Sequence, residues 1–173
     1  DLEIFDIENI ITHGGSNRYY IKNRDNSFFK INKSVERELK KERKYGLQKF
    51  STYVKFASKV KKSKKQLLQI FNKIYDKKVI GYGATAKSCT VLNYCKINKK
   101  YIDFFYDTTS FKINKYLPGS KIKIKKYKKL NRNEADFVFL GAWNFKEEIF
   151  KKEREFIKRG GKFITHIPFP KII

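Results

Sequence analysis

Methionine is absent from the 173 residues, cysteine occurs only twice, and arginine supplies seven of the 41 basic residues. Each shortage excludes something. No apolar run reaches the eighteen or so residues that a membrane span needs, and no segment has the layout of a signal peptide. A cytoplasmic protein is therefore the default expectation. Cys89 and Cys95 lie six apart inside an expected helix and form no C-x-x-C pair, so neither a zinc site nor a disulfide framework is supported. They read as small buried hydrophobes. The scarcity of arginine bears on the net charge of +24. The runs Lys61–Lys65 and Lys121–Lys129 invite a nucleic-acid reading. Arginine, however, is the side chain that grips phosphates and guanine edges bidentately, and here it is scattered. Lysine as the default surface residue is the simpler account. Such a charge would still draw in a polyphosphate ligand from a distance.

What is present is enough to fold. Forty per cent of the chain is apolar and sixteen per cent aromatic, which suits one domain with its own core, together with a piece of a neighbour. Residues 2–8 alternate apolar and polar as a strand does, and 18–22 give a second strand across the glycine-containing connection ITHGGS. After a loop at 25–33, Ser34 reads as the cap of a charged helix interrupted near Gly46. Apolar positions from Val54 to Ile74 recur at helical spacing and predict one long amphipathic helix over 51–75.

Beyond that helix, strands and helices alternate. Strands are expected at 78–82, 101–106, 121–124, 137–140 and 163–167, with helices over 84–94 and about 144–158 between them. This alternation predicts an α/β fold with a Rossmann-like, mostly parallel sheet, flanking helices, and a short strand pair and long helix in front of it. The expected divisions are 1–33, 34–75 and 76–173.

Gly81-Tyr82-Gly83-Ala84-Thr85-Ala86 is the strongest local motif, a G-x-G-x-x-A set between a strand and a helix. Gly81 permits a tight turn, Gly83 lets backbone approach a pyrophosphate, and Ala86 lets the helix pack close. A phosphate would sit on the helix N-terminus, with Lys87, Ser88 and Thr90 on the first turns. Asp107 closes the next strand, where an acidic residue meets a ribose hydroxyl. Two readings stay open here: a nucleotide- or NAD(P)-binding unit, including an oxidoreductase domain, and a tight turn that serves packing alone.

Five ordered stretches then carry a resemblance: THGGSNR (Thr12–Arg18), GYGATAKSCTVLNYC (Gly81–Cys95), Asp107 with Lys112 and Pro118-Gly119, LGAWNFKEEI (Leu140–Ile149), and GGKFITHIPFP (Gly160–Pro170). Together they resemble the nucleotide-sugar C-methyltransferases, across essentially the whole chain. The resemblance implies an enzyme of three parts: a small zinc-binding domain, a central module for S-adenosylmethionine, and a C-terminal Rossmann-like domain that binds the sugar nucleotide. On that basis 1–33 is expected to close the central module, 34–75 to connect, and 76–173 to bind a nucleoside-diphosphate keto-sugar. The zinc-binding and methyl-donor motifs are missing from the sequence, as expected of a fragment.

The implied chemistry removes a proton beside a sugar ketone and methylates the resulting enolate with S-adenosylmethionine. His13, within HGGS, matches the family histidine that acts as general base, whereas His166 is expected to be structural. Gly81, Gly83, Ala84, Lys87, Thr90, Asp107, Lys112 and Asn144 are the expected substrate-binding residues, and no metal ligand is expected. Trp143 is expected to pack. The chain departs from the family pattern at Ser88, where a glycine is common, and at Thr109-Ser110 and Ile113-Asn114, where Asn-Pro and Gln-Gly are common.

Overall fold

The computed structural model describes all residues from Asp1 to Ile173. The chain divides into two compact units, Asp1–Ser58 and Lys59–Ile173.

The first unit is built on an antiparallel hairpin of β1 (Leu2–Ile10) and β2 (Ser16–Asn23). A bulge between Ile4 and Asp6 shifts the register, so Phe5 is the unpaired extra residue. Phe5 stacks on Phe29, and its carbonyl accepts from the Asn32 amide at 2.8 Å, which folds the loop after β2 back over the hairpin. Helix α1 (Lys33–Tyr45) follows. Its cap is Asn32 rather than Ser34: the Asn32 side chain accepts from the Ser34 amide at 3.2 Å. That releases the Ser34 hydroxyl to donate to Asp6 and accept from the Ile7 amide at 3.1 Å, tying α1 to β1. Helix α2 (Phe50–Lys73) begins in this unit and continues into the next.

In the second unit a six-stranded sheet runs in the order β5-β4-β3-β6-β7-β8. Its members are β3 (Val79–Tyr82), β4 (Phe104–Asp107), β5 (Lys123–Lys126), β6 (Phe137–Leu140), β7 (Lys162–Thr165) and β8 (Lys171–Ile172). All pair in parallel except β8, which runs antiparallel to β7. The sheet is covered on both faces, which is why its strands read as nearly continuous apolar runs. One face packs Phe105 and Phe139 against Leu67 and Phe71 of α2 and Leu92 of α3 (Ala86–Cys95). The other packs Ile80, Tyr106, Val138 and Phe163 with Ile149 of α4 (Lys146–Lys152) and Phe156 of α5 (Arg154–Lys158).

Two expectations shift in detail. The helix expected over 144–158 is divided at Glu153, whose backbone leaves helical geometry while its side chain turns inward. The lysine run near 121–129 contains β5, an edge strand with Lys123, Lys125 and Lys126 exposed. Charge on an edge blunts strand-to-strand association, so this run has a role in the fold itself.

Candidate functional site

Leaving β3, the chain builds β4 and β5 to one side and β6 and β7 to the other. Strand order therefore reverses between β3 and β6, and open α/β sheets hold ligands in the crevice at the carboxyl ends of strands beside such a reversal. A cleft of about 300 Å³ lies there. Gly83 and Thr85 of the glycine turn, Asp107 to Thr109 at the end of β4, and Lys112 form one side. Glu148 and Lys152 of α4 form another, and Tyr82, Tyr106, Tyr127 and Phe145 supply aromatic lining.

The glycines of the turn answer first to the chain's own packing. A Cβ on Gly81 would lie 2.4 Å from the Phe105 ring. Gly83 has φ +84°, and a Cβ there would lie 2.5 Å from that of Ala142. The Gly83 amide donates to the Tyr106 carbonyl at 2.8 Å, and the Tyr82 carbonyl accepts from Gly141 at 2.9 Å, so the turn is pinned between β4 and β6. Thr85 then caps α3 reciprocally with Ser88: the Ser88 amide donates to Thr85 Oγ1 at 3.1 Å, and the Thr85 amide to Ser88 Oγ at 2.9 Å. A capping box of this kind contributes about 1 kcal/mol and explains a serine at position 88.

Asp107 is buried and locked into the same turn. One oxygen accepts from the Ala84 amide at 2.8 Å and the other from the Thr109 amide at 2.8 Å. Burial works against its charge, but Thr109, Lys112 and the Ala84 amide outweigh it and hold the carboxyl below its ordinary range. Lys112 Nζ bridges this arrangement, 3.0 Å from the Ala84 carbonyl and 3.5 Å from Asp107. Each Asp107 oxygen has a second lone-pair direction beyond the amide it already accepts from.

Among the residues singled out from sequence, Gly83, Asp107 and Lys112 line the cleft, and Ala84 joins it through its amide. Gly81 lies within β3 and is not part of the lining. Lys87, Thr90 and Asn144 are not part of the lining. The Lys87 ammonium stands 4.8 Å over the Trp143 ring, and the Thr90 hydroxyl donates to the Ala86 carbonyl at 3.1 Å. His166, at the end of β7, is buried and stacked on Phe139. No group of three or more His, Cys, Asp or Glu is placed to hold a metal ion, and no helix is long and apolar enough to cross a membrane.

His13 belongs to the first unit, at the tip of the connection between β1 and β2. It is exposed, and its φ of 56° is left-handed, followed by Gly14 at 89° and Gly15 at 112°. Histidine tolerates this region better than branched residues do, and the two glycines enter it at no steric cost. The Gly15 amide and the Ser16 hydroxyl both donate to the Thr12 carbonyl, closing the turn that carries His13.

A family model described as the C-methyltransferase C-terminal domain matches residues 11–168. The chain belongs to that family. It is also 32% identical over 174 residues to the C-methyltransferase NovU of Streptomyces niveus. That alignment covers 99% of this chain and 41% of NovU, so the chain spans less than half the length of this curated relative. Within the family domain, the matched region takes in both the HGGS turn and the glycine turn.

The tyrosines, Glu153 and Lys152 did not emerge from the sequence. Tyr82 stands inside the glycine motif and Tyr106 immediately before Asp107, and that adjacency was the available signal. Glu153 and Tyr127 had none, because their contacts join positions 26 and 71 residues apart.

Proposed function

We propose that this chain is the sugar-nucleotide-binding part of an S-adenosylmethionine-dependent C-methyltransferase, acting on a nucleoside-diphosphate keto-sugar. The observation that carries the reading is the cleft at the carboxyl ends of β3 and β4, where Lys112 and Lys152 offer positive charge beside an apolar lining. A diphosphate needs cations, and a nucleoside needs concave apolar surface. Gly83, Ala84, Asp107 and Lys112 are the binding residues of this reading, with Gly81, Lys87, Thr90 and Asn144 supporting the surrounding elements.

The same lining does not suit the methyl donor. Both oxygens of the acidic residue closing β4 already take backbone amides, and the two carboxylates of the lining, Asp107 and Glu148, are matched in number by Lys112 and Lys152, so no net negative charge is left to attract a sulfonium cation. S-adenosylmethionine is therefore assigned to a module outside this chain. Residues 1–33 would close that module, 34–75 would connect, and an upstream zinc-binding domain would complete the protein. In this reading β1 and β2 present Leu2, Ile4, Tyr19 and Ile21 on one exposed face for the module to cover.

His13 is the proposed general base. It takes the proton from the carbon beside the ketone, leaving an enolate that can accept a methyl group. The turn holds the imidazole in an uncommon backbone conformation, the kind of local strain that concentrates at functional sites. In the intact enzyme, His13→Gln keeps approximate size but loses basicity, so turnover should fall about 10²–10⁴-fold. Sugar-nucleotide affinity should change little. The sharper readout is deuterium washed into the substrate from D₂O without methyl donor, which the variant should lose. Exchange at the wild-type rate would move the base elsewhere, to Tyr19 or Tyr20 or to another module. Calorimetry on this chain should find nucleotide-sugar binding and little affinity for S-adenosylmethionine; tight binding of the latter would refute the division of labour.

A further inference from the structure

The aromatic lining of the cleft is more than a diphosphate requires. Its three tyrosines also bring no free hydroxyl to a ligand. Tyr82 and Tyr127 donate to the same oxygen of Glu153, at 3.3 and 2.7 Å, and Tyr106 donates to both oxygens of Glu134 at 2.8 Å. Neither carboxylate lines the cleft. What the tyrosines leave to it is ring carbon.

Glu153 explains how the rings are held. It is fully buried, and its second oxygen accepts from the Leu130 amide at 3.1 Å. A buried carboxylate is costly unless donors surround it, and here three do. Burial and Glu153 both push the Tyr82 and Tyr127 hydroxyls up, the latter to about 12, so both stay protonated as donors. Tyr82 and Tyr127 lie 5.6 Å apart at 63°, and Tyr106 and Tyr127 6.2 Å apart at 74°. These edge-on contacts fix a set of tilted ring walls. One ring face is demonstrably open to the outside: the Lys152 ammonium stands 3.7 Å over Tyr127, and Lys152 is exposed.

We propose that the tyrosine-lined part of the cleft is a nucleobase subsite, with the base stacked on Tyr127 in place of Lys152. This inference rests on the nucleotide-sugar reading above. Lys152, displaced from the ring, pairs with the diphosphate together with Lys112. Glu153 is a positioning residue that acts through the tyrosines. The base is recognised through its flat face, a mode that tolerates different bases.

The test uses the full-length protein titrated with UDP, dTDP and inorganic pyrophosphate. Tyr127→Ala should weaken both nucleotides by about tenfold or more while leaving pyrophosphate unchanged. Tyr127→Phe, which keeps the ring but releases it from Glu153, should weaken the nucleotides less than Tyr127→Ala does, again with pyrophosphate unchanged. If Tyr127→Ala does not fold by circular dichroism, Tyr127→Leu replaces it, keeping apolar bulk without the ring. The base proton H6 of bound UDP should also move upfield, as ring stacking requires. Equal losses for UDP and pyrophosphate, or an unmoved H6 signal, would overturn the subsite. So would unchanged nucleotide affinity in the ring-less variant, and that result would leave the nucleotide-sugar reading standing. Failure of the wild-type protein to bind either nucleotide would instead overturn that parent reading and the subsite with it.

Discussion

The two units differ in how they are stabilised. Lys59–Ile173 carries 29 Lys and Arg against nine Asp and Glu, yet it buries an apolar cluster on each face of a six-stranded sheet. Asp1–Ser58 is nearly balanced, with twelve against eight, yet among its apolar side chains only Ile7 is buried. Phe28, Phe50 and Phe56 are largely exposed. Charge and core are thus uncoupled here. The heavily charged unit keeps its lysines on edges and rims, whereas the balanced one lacks layers to cover its apolar residues. A two-stranded hairpin is marginal by itself and needs further strands or a packed helix face. The difference teaches that a balanced charge does not by itself bury apolar residues: one unit closes a core within itself, and the other leaves its apolar side chains at the surface.

The largest effect that would sharpen this contrast is truncation in the second unit. Phe71 is buried and meets Tyr101 and Phe139. Phe71→Ala should cost about 3–5 kcal/mol in denaturant unfolding. Phe28→Ala, at a residue 84% exposed, should fall within about 0.5 kcal/mol. Equal costs would erase the distinction.

A smaller effect, also confined to the second unit, depends on pH. His166 is buried against Phe139, its Nδ1 has no hydrogen-bond partner, and burial lowers its pKa to about 4. An unfolded histidine titrates near 6.5. The folded state therefore refuses a proton that the unfolded state takes up. Stability is fully present above about pH 6.5 and falls as pH drops from there toward 4, by about 3 kcal/mol at most. His166→Phe should flatten unfolding free energy across that window. A wild-type slope surviving in the variant would assign the loss to another group.

The sequence announced the second unit more clearly than the first. Its strands are short apolar runs because both faces of the sheet are covered, and Gly83 and Asp107 were legible because turn geometry demands them locally. The cleft's other half was not. Glu153 sits in a helical pattern where an acid reads as solvent-facing, and only the folded chain brings Tyr82 and Tyr127 to it. Lys87, Thr90 and Asn144 illustrate the reverse: the first two follow the glycine motif and the third follows β6, yet all three lie outside the lining. The same limit hid the cap of α1. Asn32 and Ser34 are both good caps, and the need of β1 for a partner at Asp6 and Ile7 decided between them.

The last test addresses the first unit, with an effect in this chain as small as that of Phe28→Ala. Ile21 pairs across the hairpin with Ile4, and Leu2 and Tyr19 extend the same exposed face. Ile21→Ser adds polarity where water already reaches, so in this 173-residue chain its cost should stay within about 0.5 kcal/mol. In the full-length protein the outcome should differ if an upstream module covers the face. Burying an isoleucine there contributes about 1.5–3 kcal/mol, and an unpaired hydroxyl in its place adds a penalty. The measurement is paired unfolding of both lengths, wild type and variant. A cost that grows with length identifies this face as covered in the whole enzyme. A cost that stays small in both leaves the hairpin solvated and removes its assignment as the closing strands of another module. A large cost already in the short chain would mean that the first unit is stabilised through this face by itself, and the contrast between the units would fail.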